Sequence, residues 1–189
     1  MNRFLSMFTL VASLCVLAAT SFTGDKDKNS PASGFRAEYL AQLDEVQQKI
    51  VSLAEAIPAD TYAWRPAEGV RSVGEVFVHL AGANYFFPSL FGAKIPEGSS
   101  ADTEKTVGGK SEVLEMLNKS FSSIRDVVLK QSEADLERKV DMFGKEVTVR
   151  GVLMAAANHI HEHMGQSIAY ARMNKIVPPW SVKTAEQSK

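Results

Sequence analysis

Four stretches of this chain repeat apolar residues at steps of three and four, the spacing that lines one face of an α-helix. Over residues 35–57 the stripe is Tyr39, Leu43, Val46, Ile50, Leu53 and Ile57, and Pro58 stops it. A loop over 59–71 follows and holds Trp64, Arg65 and Pro66. The second helix opens at Ser72. There Ser72-Val73-Gly74-Glu75 fits a capping box, in which hydroxyl and carboxylate satisfy amides that the first turn leaves unpaired. Its stripe is Val73, Val76, Leu80, Ala83, Phe87 and Leu90, and Pro88 is placed to bend or end it. Residues 95–109 carry turn formers and no period, which predicts a loop. A third helix is predicted over about 111–131, with Val113, Leu117, Phe121, Ile124 and Val128 on one side. Residues 132–147 break the pattern, and 140–147 suit either a small hairpin or an irregular turn. Thr148 can cap a fourth helix that runs to about residue 176, ahead of Pro178-Pro179. Residues 180–189 read as a flexible tail.

Helices of this length cannot bury their stripes alone, so the simplest fold is all-α, a four-helix bundle over 35–179. The long connection between the second and third helices leaves room for a non-sequential arrangement. At 189 residues the chain is one domain, and 45% apolar with 23% charged residues is ordinary globular composition. The net charge of −1 provides no basic footprint for nucleic acid and no polybasic membrane patch.

Residues 1–23 change the picture of where the protein works. Arg3 is followed by an apolar run from Phe4 to Ala19 and then by small residues, the layout of a secretory signal peptide. The run is shorter than the roughly 20 residues that span a bilayer, which favours removal over retention as an anchor. Leu14 precedes Cys15 where a lipoprotein signal wants a small residue. Residues 24–34 are polar and read as a flexible linker. The expected mature protein is therefore exported, periplasmic or secreted, with no stable membrane insertion. It loses Cys15, the single cysteine of the sequence, and so has no disulfide and no thiolate ligand. Any self-association, a homodimer being the commonest form, must be non-covalent.

Three of the four histidines fall within five residues, at His159, His161 and His163, and the fourth is His79. At about 100° per residue, His159 and His163 differ by about 40° and stack on one helix face, beside Val152, Ala156, Gln166 and Tyr170. Two imidazoles so spaced can bind one metal ion. His161 lies about 200° from His159 and faces elsewhere. His79 is the remaining imidazole, beside Gly82 and Ala83, whose small size leaves room for a pocket. Three imidazoles hold a divalent cation such as zinc, nickel or iron and leave a position open for water or substrate. Glu75 could support His79 from one turn away, although the capping box is the plainer role. Gln166 could hydrogen-bond within the site or satisfy backbone, Trp64 and Tyr39 read as core, and Gly165 suggests a close helix approach.

The run Trp64-Arg65-Pro66-Ala67-Glu68-Gly69, then Ser72-Val73-Gly74-Glu75 and His79-Leu80, resembles the first half of the DinB-like (DinB/YfiT) superfamily. The run from His159 to Gln166, with Tyr170 and Pro178-Pro179 after it, resembles that family's second signature, H-x-x-x-H-x-G-Q. Met164 stands where the family often has arginine. The resemblance implies a four-helix bundle with an unusual helix order and a metal site at His79, His159 and His163. It also implies kinship with thiol-dependent S-transferases and isomerases.

These residues leave three functions in competition. One is a metal-dependent hydrolase or thiol S-transferase acting on a small molecule, because a cation on three imidazoles brings the pKa of its water toward about 7. Export favours hydrolysis, since low-molecular-weight thiols are cytoplasmic reductants. The others are a metal-binding module without catalysis and a bundle whose histidines are merely structural. The leader makes a direct prediction: N-terminal sequencing of exported protein will find a start between about residues 20 and 24, and a start at Met1 or Asn2 would refute it.

Overall fold

The computed structural model describes residues 31, 33–97, 99 and 108–182. Its helices are α1 (Phe35–Ala56), α2 (Val73–Ser89), α3 (Lys110–Lys130), the short α4 (Glu133–Leu136) and α5 (Val149–Met173). The four long ones carry the four predicted stripes. Ile57 ends α1 by turning extended (φ −74°, ψ 125°), as a residue before proline is pushed to do. Pro88 lies in the last turn of α2, which stops at Ser89. Thr148 caps α5, its hydroxyl accepting from the Gly151 amide at 3.0 Å.

The all-α expectation needs one amendment. Residues 132–147, read as a break, contain α4 and an antiparallel hairpin of β1 (Lys139–Met142) and β2 (Lys145–Thr148). Lys139 pairs with Thr148 and Met142 with Lys145. Phe143 and Gly144 form the two-residue loop with φ of 58° and 78°, the left-handed pair that a tight right-twisted hairpin requires. The hairpin could not be decided from sequence because neither strand has a fully buried face to impose alternation. Its base is tied down: Arg138 donates to the Phe91 carbonyl at 3.0 Å, and the Val149 amide donates to the Arg138 carbonyl at 3.0 Å.

Helix order around the bundle is not sequential. α1 packs on α3 and α5, and α2 packs on the same two, so α1 and α2 occupy opposite corners. Phe77 and Leu80 of α2 meet Leu117, Phe121 and Ile124 of α3 and Leu153 and Ile160 of α5 in one fully buried core with Ile50 and Leu53 of α1. One polar link crosses this core. Asn84 donates to the Ser120 hydroxyl at 3.1 Å, which donates in turn to the Leu117 carbonyl at 2.8 Å, so its hydroxyl is satisfied. A 3₁₀ turn over Ala59–Ala63 closes one end, with the Tyr62 hydroxyl donating to the Ala54 carbonyl at 2.8 Å. Gly74 permits that closure, since a Cβ there would stand 3.3 Å from the Tyr62 carbonyl. Gly165 does no such work: it is exposed, and a Cβ on it would meet nothing within 4 Å.

The signal peptide expected over 1–23 and most of the linker expected over 24–34 lie outside the described residues. Of the tail, 180–182 are described, and they begin in a 3₁₀ turn (Pro179–Ser181) that packs on α1. Among the described residues no helix is long and apolar enough to cross a membrane.

The start of α2 sets the height of His79 and is held electrostatically. The Glu75 carboxylate accepts from the Ser72 amide at 2.6 Å and from Arg65 at 3.0 Å, while the Ser72 hydroxyl accepts from the Glu75 amide at 3.3 Å. Partial burial works to raise the Glu75 pKa, but the Ser72 amide and Arg65 outweigh it and hold the carboxyl below its usual range. A carboxyl depressed on folding contributes stability that is present above about 4.5 and lost as pH falls through its folded value. Glu75→Gln is thus expected to lower stability at pH 7, and the gap to wild type should close on acidification in urea melts. Ser72→Ala should cost about 1 kcal/mol. A gap that stays constant down to pH 3 would contradict this account.

Candidate metal centre

His79 projects from the middle of α2 toward α5, two turns after its cap, and His159 and His163 come from successive turns of α5. The three rings meet in the contact between these helices. Centroids of His79 and His159 are 5.2 Å apart, His79 and His163 4.8 Å, and His159 and His163 4.4 Å, every pair edge to face. One ring nitrogen from each lies within 4.8 Å of the others. That is wider than the roughly 4 Å that 2.0–2.1 Å bonds to a common ion lead one to expect. The edge-to-face packing of the three rings accompanies this spread. His161, as its angle predicts, is exposed on another face and bonds through Nδ1 to the Ala157 carbonyl at 2.8 Å.

The surroundings fix which nitrogens are available. Gln166, one turn after His163, donates through Nε2 to the Tyr170 hydroxyl at 2.9 Å, which leaves its Oε1 to accept from His163 Nδ1–H at 2.8 Å. His163 is therefore the tautomer whose Nε2 lone pair is available to a cation, as when a second group orients a metal-binding imidazole. Tyr170 is held in turn by Trp64, edge-on at 5.5 Å. His159 Nε2 is buried and has no hydrogen-bond partner. A buried ring nitrogen without a partner, beside two more imidazoles, is costly, and as a lone pair it is what a cation would satisfy. The residues present therefore fit a metal.

Electrostatics point the same way. Burial, then the His163 and His79 rings, then Arg71 push the His159 pKa down to about 4, against a small opposing pull from Glu162. Burial also lowers His163, aided by His79 and Arg71 and opposed by the Gln166 bond. Both rings are neutral at pH 7, the state in which imidazole binds metal. Glu75, one turn before His79, serves the cap and Arg65 as described above.

Sequence reasoning undervalued two neighbours. Arg71 acts on two of the three rings, yet nothing in its spacing from His79 marks it. Phe87 sits in the apolar stripe of α2 and also lies edge-on to His159 at 5.6 Å.

The sequence profile of the DinB superfamily matches residues 42–167. The chain belongs to the DinB superfamily. Trp64, Ser72, His79, His159, His163 and Gln166, which carried the resemblance, all lie within the matched span. Among DinB relatives, the uncharacterized protein YjoA of Bacillus subtilis is 30% identical over 124 residues, covering 64% of this chain and 78% of YjoA. A DinB-like protein of Bacillus cereus superposes with a TM-score of 0.68 at 18% identity, over 77% of this chain and 95% of that one. The structure of B. subtilis YjoA superposes at 0.59 with 23% identity, over 73% and 92% of the two chains. A conserved protein of Enterococcus faecalis gives 0.61 at 17%, over 75% and 98%. At these identities the superpositions establish the DinB-like fold.

The site makes a sharp prediction for titration with zinc. His79→Ala, His159→Ala and His163→Ala should each weaken zinc binding and abolish the rise in melting temperature that zinc causes, because a ligand of the native state adds to its stability. His161→Ala should retain both. Calorimetry in which His161→Ala loses zinc while His79→Ala keeps it would defeat the assignment.

Proposed function

We propose that His79, His159 and His163 hold one divalent cation, zinc, nickel or iron, and that the protein is an exported hydrolase or group transferase acting on a small molecule at that cation. The observation that carries this reading is the buried, unpartnered Nε2 of His159 in a cluster of three converging imidazoles. A cation so held supplies Lewis acidity at one open coordination position. The chain's own residues do the rest. Burial between α2 and α5 keeps His159 and His163 neutral, Gln166 holds the His163 tautomer, and Tyr170 and Trp64 hold Gln166. The signal-like leader supports export, and export favours hydrolysis over transfer to a cytoplasmic thiol. The near-neutral charge supports no nucleic-acid partner. Any self-association, a homodimer being the commonest form, is non-covalent in this reading.

A second reading is a metal-binding module without turnover. It is favoured by the composition of the centre: among the described residues the metal-capable cluster holds imidazoles alone, and Glu162, the carboxylate that acts on His159 and His163, is exposed.

Metal content of protein purified from its native compartment tests the shared part. One equivalent of divalent metal per chain is expected, with none in His159→Ala; metal-free protein that also takes up none would overturn both readings. A screen of the metal-loaded protein on esters, amides and thiol acceptors then separates them. Turnover that chelation abolishes supports the enzyme, and its absence across all three classes supports the module.

A further inference from the structure

One feature outside the triad breaks the local rules of the fold. Phe143, at the hairpin tip, is 73% exposed and holds a left-handed φ of 58°. A bulky side chain there is disfavoured, and asparagine or glycine is the usual occupant. Its ring is nonetheless placed. It stacks on Phe86 with centroids 5.9 Å apart and planes at 22°. Phe86, itself 37% exposed, lies edge-on to Phe87 at 5.7 Å, and Phe87 lies edge-on to His159 at 5.6 Å. The hairpin and α2 thus build a continuous row of rings that ends at the triad.

The helix supplies the floor of that row. Phe86 is seven residues after His79, so the two project from nearly the same face of α2, about 10 Å apart along the axis. Gly82 and Ala83 lie between them, both half-buried, and a Cβ on Gly82 would meet open space. Along this stretch of α2 the imidazoles stand at one end, the aromatic pair at the other, and small residues lie between.

We propose that Phe86 and Phe143 form an aromatic shelf that selects the substrate of this centre: a small molecule with a flat aromatic body roughly two rings long, whose polar reacting group sits at the triad. The inference rests on the metal reading of His79, His159 and His163. Stacking suits a flat apolar body because ring pairs gain from offset and edge contacts beyond the area they bury. The shelf determines specificity and takes no part in proton or metal chemistry.

Hydroxamates, which chelate zinc through the same head group whatever they carry, test it by calorimetry on the zinc-loaded full chain. Acetohydroxamate, benzohydroxamate and 4-phenylbenzohydroxamate should bind in rising order. The two-ring compound should lose about three- to tenfold in Phe143→Ala, the range that one aromatic pair is worth, while acetohydroxamate is unchanged. Phe143→Asn should show the same selective loss while its melting temperature holds or rises, since asparagine suits the left-handed turn. A purely structural ring would lower stability without sorting the ligands. Equal binding of all three compounds, or an undiminished two-ring preference in both variants, overturns the shelf and leaves the metal site standing. So does a Phe143→Ala change that splits a dimer without altering the ligand ratio, because the pair would then be a contact between copies. Failure of the protein to take up zinc or to bind acetohydroxamate overturns the metal reading and the shelf with it.

Discussion

The direct packing of α2 against α5 is the constraint on which the rest of the structure depends. These helices are separated in sequence by α3, α4 and the hairpin, yet they are neighbours because α1 and α2 take opposite corners of the bundle. Had the helices followed one another around the bundle, α2 would face α1 and α3, and His79 would lie far from the α5 pair. Burial fixes the register of the contact. Leu80 follows His79 directly, Ile160 follows His159, and both are fully buried, so the neighbouring imidazoles are held at the margin of the core. A slip of one residue in either helix would turn an imidazole about 100° out of the contact and an aliphatic side chain out of the core with it. The apolar stripes that make the bundle therefore also aim the histidines.

Around that contact the structure keeps its polar groups few and ordered. Trp64 sets Tyr170, Tyr170 accepts from Gln166, and Gln166 accepts from His163, a chain that begins in the loop before α2 and ends in the histidine cluster. The loop is fastened from its other side by Arg65, which holds both the Val70 carbonyl and Glu75. The tryptophan, arginine and capping glutamate of this segment thus have a shared physical role. They fix where α2 begins, and through it the height of His79 relative to His163.

Much of this was legible in the sequence because helical periodicity is a strong signal over twenty residues. The four stripes, the Ser72–Glu75 box and the stop at Pro58 follow from spacing and from proline sterics. So does the division of the α5 histidines into a facing pair and an outlier, since a 100° turn per residue is enough to separate His161. What was not legible is short or long-range. The hairpin has four residues per strand and no buried face, so alternation had nothing to act on. The Phe87 contact with His159 and the reach of Arg71 arise only when α2 and the preceding loop are laid on α5, and no local spacing encodes that. Gly165 misled for the converse reason. A glycine in a helix suggests a close approach, but this one faces open space.

The breaches of local rules in this fold are unevenly distributed, and their distribution carries information. A sequence consistent at every level would put asparagine at the hairpin tip, a larger side chain at Gly82, and no unpartnered imidazole nitrogen in a helix contact. The three departures lie in the β1–β2 turn, in the middle of α2 and on the face of α5 that meets it. The other left-handed non-glycine residue, Lys175, sits just past the end of α5, where that conformation is an ordinary way to stop a helix. The Tyr39 hydroxyl, Arg150 Nε and Ser167 Oγ are also buried without a hydrogen-bond partner, but among the described residues none belongs to a metal-capable cluster. The proposed shelf and metal site would account for these three departures, each of which costs stability where it stands. The bundle provides the stability that tolerates them: a core of large aliphatic and aromatic side chains, sealed at one end by Tyr62 and crossed by the Asn84–Ser120 link.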